Sequence, residues 1–340
     1  MTNAQISAAG GNRFAAELLE RSAYGFAGFA ASQLLEQHPD IKQRYAPDAF
    51  ATWKSHLTQR ILELAAALST GEPLVFSSRV MWSRKAFIAR NQPESDIGLS
   101  LAALRSVLEG HLPATAAGDA LACVDQARQA LAESEPALDE SELDPEREFD
   151  RLALRYLQDV LEGNTSKALD KVLAAVGDGV TPTDIYKQVL LPAQREIGRL
   201  WHLGDVTVAE EHMVTSATQR AMAVVVHAAG RAEPIGKTMV AAAVAGNAHD
   251  IGLRAVSDVY HMAGWRAIYL GADVPMQELP ATLTFFEADL LLLSATLSTQ
   301  VPRVRRTVAA VRDRCERDVK ILVGGAAFDE APEIWRKVGA

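Results

Sequence analysis

Four short apolar runs, Met239–Ala245, Trp265–Tyr269, Asp289–Ser294 and Val319–Val323, mark the last third of this 340-residue chain, with helical spacing between them. This alternation is the strongest constraint in the sequence. Strands joined by helical crossovers must run in the same direction, so the segment is expected to form βαβ units and a parallel sheet. In such sheets ligands sit beyond the carboxyl ends of the strands. Three segments fall there: Gly246-Asn247-Ala248-His249-Asp250-Ile251-Gly252, Ser294-Ala295-Thr296 and Gly324-Gly325.

Upstream the rhythm is helical. Trp53, Leu57, Ile61, Leu64 and Leu68 recur at three- and four-residue steps, the period of one buried helix face. Asp48 stands where a helix cap is expected and Gly71 where that helix should end. Residues 1–132 therefore read as an all-helical, globin-like domain. Residues 133–148 form an acidic linker, and nine of the eighteen residues in Glu133–Asp150 are acidic. Residues 149–233 contain Gly163, Gly177, Gly179 and Gly204, which divide the segment into four helices, enough for a small bundle. Thr207 and Glu210 have capping-box spacing and place a helix start at Val208. Pro192 interrupts the Ile185–Trp201 pattern, where it removes a donor and should kink the helix.

Composition narrows the function. A formal charge of −9 and a pI near 5.5 argue against bulk attraction to DNA or anionic membrane. Two distant cysteines, Cys123 and Cys315, provide no disulfide framework. The opening Met1–Phe14 lacks the basic and apolar regions of a signal peptide, and no apolar run approaches the ~20 residues that span a bilayer. A cytoplasmic protein is expected. The chain stops at Gly339-Ala340, ahead of a closing helix, which leaves a further effector domain as an expectation.

The loop at Gly246–Gly252 has neither the dinucleotide glycine spacing nor a P-loop lysine. It instead puts an imidazole at a strand end, where its nitrogen can meet a metal. His249 with Gly252, Ser294, and Gly324-Gly325 resemble the cobalamin-binding Rossmann domain, whose motif is Asp/Glu-x-His-x-x-Gly, then Ser-x-Leu or Ser-x-Thr, then Gly-Gly. The resemblance implies that His249 is the lower cobalt ligand. It also implies that Asp250, Ile251, Ser294, Thr296, Gly324 and Gly325 line the cofactor pocket. The segment Leu270-Gly271-Ala272-Asp273-Val274-Pro275 is similar to the family's loop after the second strand. One position departs from the pattern, because Asn247 stands where the family has an acid. Its amide oxygen can accept the imidazole N–H but brings no charge, so weaker cobalt ligation is expected.

Trp201, nine residues, then Glu211-His212 resembles the Trp-x9-Glu-His signature of cobalamin-dependent light sensors. The resemblance implies an indole lid on the upper face of cobalt and polar contacts to a ribose from Glu211 and His212. It further implies that His202 takes the upper cobalt position after light expels the adenosyl group. A helical domain ahead of cap and cobalamin domains is similar to the photocobilins, which pair cobalamin with biliverdin. Arg79, Trp82, Arg84 and Arg90 supply the cations and aromatic that a linear tetrapyrrole with two propionates needs, or else form the solvated face of an amphipathic helix. Haem is the other tetrapyrrole, with His38, His56 or His111 as conceivable ligands, and Cys123 reads as a buried structural thiol.

The overall expectation is a multi-domain α and α/β protein: all-α domain, four-helix cap bundle, and Rossmann-like parallel-sheet cobalamin domain over residues 234–340. Its expected role is a light sensor, not itself an enzyme, with adenosylcobalamin and biliverdin as chromophores. It should form a homo-oligomer with a light-dependent state and act through a further domain or protein partner, without direct DNA or membrane binding. The rivals are a corrinoid carrier of a methyltransferase system and an antirepressor that binds only proteins. The arginines at 303, 305, 306, 312, 314 and 317 are expected to form a solvated helix face.

Overall fold

A computed structural model describes residues 12–135, 140–329 and 333–340. Pro136–Asp139 of the acidic linker and most of the opening segment lie outside the described residues. The chain divides into two compact units. The first comprises Met1–Ala137, Ala295–Ala309 and Val323–Ala340, and the second Leu138–Ser294 and Ala310–Leu322.

The first unit contains six consecutive helices: α1 (Arg13–Gln37), α2 (Pro39–Arg44), α3 (Ala49–Thr70), α4 (Pro73–Ala89), α5 (Ser95–His111) and α6 (Ala114–Glu133). The apolar stripe on α3 is why it lies at the centre, packed on α1 and α4. Trp53, Leu57, Ile61 and Leu64 are at most 2% exposed, and each such side chain contributes about 1.5–3 kcal/mol over its exposed state. Gly71 ends α3 in the left-handed conformation, as expected. Asp48 sits at the N-cap position but makes no side-chain cap bond.

Within the same unit, the turn Ser298–Gln300 packs on α3 and leads into α14 (Val301–Arg314). The arginine group is largely the solvated face expected, with Arg303, Arg306, Arg312, Arg314 and Arg317 exposed and Arg305 half-buried. Arg305 donates to the Ser69 carbonyl at 3.0 Å, and Arg306 pairs with Glu20 at 3.3 Å.

The second unit opens with α7 (Glu148–Leu161) and α8 (Thr165–Gly177). A third helical stretch follows, α9 (Pro182–Asp184), a π-helical turn Ile185–Leu190, and α10 (Leu191–Leu203); α11 (Val208–Ala229) completes the bundle. Pro192 acts through the π turn. Its missing N–H cannot reach back to residue 188, and the preceding residues wind wide, with Leu191 N–H bonding to the Tyr186 carbonyl five residues back. Gly204, at φ 85°, ends α10. The Thr207–Glu210 capping box starts α11 at Val208, with both reciprocal bonds present.

The sheet follows: β1 (Thr238–Val244), α12 (Ile251–Met262), β2 (Arg266–Val274), α13 (Leu279–Phe285), β3 (Leu290–Ser294), then α14, β4 (Lys320–Gly324) and the one-turn α15 (Ile334–Lys337). Strand order is β2-β1-β3-β4, and β1 pairs in parallel with both neighbours. Every residue of β1 is buried, which explains its continuous apolar run. Met239, Ala241 and Ala243 share one face with Leu290 and Leu292, against Leu253 of α12. The bundle core reaches Ala255 on the same helix. Among the described residues no helix is long and apolar enough to cross a membrane.

Candidate functional site

Chain direction along the sheet reverses between β1 and β3, because β1 is followed by β2 on one side and β3 lies on the other. That switch point opens a crevice at the carboxyl ends of β1 and β3. The Gly246–Gly252 loop and Ser294 emerge there. Asn247, fully buried, ties the two strand ends together by donating from Nδ2 to the Ser294 carbonyl at 3.3 Å. Its Oδ1 accepts the backbone N–H of His249 at 3.2 Å. Asn247 therefore has a structural role beside the expected one: one lone pair of its amide oxygen holds the loop backbone.

With its backbone fixed, His249 projects as an exposed side chain. The neighbouring Asp250 precedes α12 and accepts the Tyr269 hydroxyl at 2.6 Å. Burial first, and this carboxylate second, push the Tyr269 hydroxyl well above its usual range, so it stays a donor. A Cβ at Gly252 would meet nothing within 4 Å. The surface beside His249 is thus open to a flat group, and an imidazole is a suitable cobalt ligand.

The segment Leu270–Pro275 differs from expectation. It is the continuation of β2, not a loop after it. Gly271, at φ 85°, lets the register jump from Tyr269 to Gly271 opposite consecutive residues of β1, a bulge that carries the strand on to Val274. Asp273 then accepts the Gly246 N–H at 2.6 Å and donates its own N–H to the Asn247 carbonyl at 3.1 Å. Sequence reasoning missed this second clamp on the histidine loop.

In the cap, Trp201 is 37% exposed at the end of α10, whereas His202 beside it is 4% exposed. Consecutive helical residues point about 100° apart, so one faces outward while the other turns into the bundle. Glu211 and His212 lie in the first turn of α11, with Glu211 Oε2 2.6 Å from His212 Nδ1. Thr215 donates to the other Glu211 oxygen at 2.8 Å. The capping box holds this turn in place, and the Thr207 N–H and hydroxyl keep the Glu210 carboxyl below its usual range.

A link between cap and sheet was not legible at all. Tyr186, in the π turn, donates toward Asp258 Oδ2 on α12 and lies equally close, 2.9 Å, to the Met222 carbonyl. Burial raises Asp258 above the usual carboxylate range, although Tyr186 opposes the shift. The only sequence signal was the i,i+4 spacing of Arg254 and Asp258, whose charged groups stand 3.9 Å apart.

The remaining expected residues belong to the first unit. Ala295 N–H bonds to the Gly324 carbonyl at 3.0 Å, and a Cβ at Gly324 would meet nothing within 4 Å. Gly325 has φ 102°. The N–H of Thr296 donates to Gln300 Oε1 at 2.9 Å, as does that of Leu297 at 3.1 Å, so a buried glutamine missed from sequence shapes this loop. The expected bilin residues do not form one set. Arg79 stands 3.5 Å from Glu63, with its guanidinium 4.3 Å from the Trp82 ring centroid. Arg60, also missed, pairs with the same Glu63 at 2.8 Å. Arg84 is buried and pairs with Glu94 and the Ser134 carbonyl, so it ties the helical fold together. Arg90 is exposed and bonds to the Ala86 carbonyl on its own helix. Burial pushes the Cys123 thiol up to about 12, which keeps it unreactive.

A helical bundle joined to a Rossmann-like sheet, with an exposed histidine at the switch point, defines a corrinoid-binding module. Comparison with known proteins agrees. Residues 237–340 match a family model described as a B12 binding domain, and residues 152–225 match a second model with the same description. The chain therefore carries B12-binding domains, and its cofactor class is cobalamin or a related corrinoid.

Among curated proteins, it is 30% identical over 164 residues to the HTH-type transcriptional repressor CarH of Myxococcus xanthus, covering 48% of this chain and 52% of the repressor. The chain thus spans about half the length of that relative. It is 29% identical over 178 residues to dimethylamine corrinoid protein 1 of Methanosarcina acetivorans, covering 50% of this chain and 82% of the relative. The solved monomethylamine corrinoid protein of Methanosarcina barkeri aligns with TM-score 0.49 and 20% identity, covering 56% of this chain and 90% of that one.

Proposed function

We propose that this protein is a cobalamin-dependent light sensor, rather than an enzyme, with adenosylcobalamin as its chromophore. The observation that carries the reading is the pairing, within the second unit, of an exposed imidazole at the sheet switch point with an exposed indole at the cap helix end. When bound, the cofactor supplies a light-cleavable cobalt–carbon bond. His249 holds the lower face, and Asn247 and Asp273 keep its loop from yielding. Trp201 offers a flat apolar cover to the upper group, and Glu211 and His212 provide polar contacts for a ribose. His202 is buried beside that cover, so it would reach the upper face only if the end of α10 unwound or turned. Such a movement, passed through Tyr186 and Asp258 to α12, would be the switch that changes cap packing and oligomer state.

Reconstitution with adenosylcobalamin, followed by illumination and absorbance, tests the reading. An unchanged spectrum removes it. The His202→Ala variant should respond to light but give a different final spectrum from the parent; identical end spectra would overturn the role of His202.

The proposal extends to biliverdin in the helical domain. Arg60 and Arg79 gather at one buried carboxylate beside Trp82, a cationic and aromatic cluster of the kind that suits a propionate. A long-wavelength band on adding biliverdin supports this, and a Soret band with haem redirects it. One observation favours a second reading, a corrinoid carrier for methyl transfer: the dimethylamine corrinoid protein is matched over 82% of its length. A carrier would show methyl exchange with a partner enzyme and no light-dependent change of assembly.

A further inference from the structure

The first unit contains a cavity of about 120 Å³ that the proposed function does not use, several times what a single water requires. Its walls come from α1, the end of α3 and the first turns of α14. The charged lining is unbalanced. Arg13, Arg303, Arg305 and Arg306 face Glu17 and Glu20, four positive charges against two negative, or net +2. This surplus stands in a chain whose overall charge is −9.

Glu20 is engaged with Arg306 through two contacts of 3.3 Å. Arg305 is half-buried and donates to a neutral carbonyl, that of Ser69, at 3.0 Å. Burial, then repulsion from Arg13 and Arg306, weigh against its charge, yet a guanidinium cannot discharge at physiological pH. The hydroxyl of Ser69, a lining residue 4% exposed, has no hydrogen-bond partner among the described residues. A buried hydroxyl without a partner costs about 1–3 kcal/mol. Forked guanidinium donors, a spare hydroxyl and a net charge of +2 together match a tetrahedral dianion.

We propose that this cavity binds phosphate, either as the free ion or as the head of a phosphomonoester, with Arg13 and Arg305 as its principal cationic contacts. None of its lining residues is among those assigned to the corrinoid crevice.

The test uses the full chain without corrinoid, titrated by calorimetry with inorganic phosphate at constant ionic strength against a chloride control. Saturable binding with one site is expected. Arg305→Ala should weaken it at least tenfold. Because Arg305 also anchors α14 to α3, Arg13→Ala provides a variant at an exposed position whose fold should be unaffected, and it should weaken binding severalfold with an unchanged melting temperature. A parallel titration with glucose 6-phosphate separates the two sources: tighter binding identifies a phosphomonoester head, and binding only to inorganic phosphate identifies the free ion. Heats indistinguishable from chloride, or full binding in both variants, would overturn the proposal. Neither result bears on the cobalamin light response, whose proposed residues are not among those lining this cavity.

Discussion

Replacing Asn247 by Asp restores the residue type common at this position in the family that the motif resembles, yet the structure predicts a loss of stability in the corrinoid-free protein. Residue 247 is fully buried, and its amide nitrogen donates to the Ser294 carbonyl. An ionised carboxylate cannot donate. The substitution forfeits a bond worth about 0.5–1.5 kcal/mol and turns a buried charged oxygen toward a carbonyl oxygen, which adds about 1–3 kcal/mol. The sum is about 1.5–4.5 kcal/mol at pH 8. Burial also raises the new carboxyl above its unfolded value of about 3.9. Below the raised value the neutral acid has an O–H that can replace the amide donor. A group with a raised folded pKa favours folding at low pH and loses that contribution as pH rises through the folded value. The penalty of Asn247→Asp should therefore be small near pH 4.5 and full near pH 8. Urea unfolding of parent and variant at both pH values, followed by tryptophan fluorescence, measures the two differences. Equal midpoint shifts at both pH values, or none at pH 8, would refute the claim that the amide donor secures this loop.

Three further outcomes follow from the geometry. Gly264→Ala should lower the melting temperature by several degrees, because φ is +90° and a Cβ would lie 2.3 Å from the Glu233 carbonyl oxygen; an unchanged transition would show that the turn relaxes freely. Tyr186→Phe removes a donor from Asp258, whose carboxyl then rises further, and should cost about 1–3 kcal/mol at pH 7 and less at pH 4, read from denaturation midpoints. A penalty independent of pH would mean that only packing was lost. In the folded chain at pH 8, Cys123 should resist a thiol reagent that labels it fully in urea, because its thiol is held near 12 by burial; rapid native labelling would contradict that burial.

Local chemistry made much of this molecule readable. The Thr207–Glu210 box, Gly71 and Gly204 fixed helix ends because caps act within one turn. Apolar runs located all four strands: the central β1 and β3 are apolar on both faces, and the edge strands β2 and β4 keep shorter apolar stretches. The three expected segments do lie at the carboxyl ends of β1, β3 and β4, because in a parallel sheet the end of each apolar run fixes that position. What stayed hidden depended on partners distant in the chain. Asn247 could not be seen to spend its amide on Ser294, nor Tyr186 to reach Asp258 seventy-two residues away. The extension of β2 was masked because Gly271 reads as a turn residue, while here it supports a bulge. Arg84 looked like a ligand-binding cation and proved to be a strut, because its carboxylate partner, Glu94, lies beyond the end of its own helix.

The wide turn ahead of Pro192 sets the phase of everything downstream in that helix. An extra residue per turn rotates later side chains by about 100° relative to an unbroken helix. The indole of Trp201 and the imidazole of His202 therefore owe their outward and inward aim to a winding fault eleven or more residues earlier. Rewinding Ile185–Leu190 as regular α-helix with the residue count unchanged, as Pro192→Ala would favour, would swing both rings round together. The lid would then be set by a different dial position, with no side chain at the crevice altered.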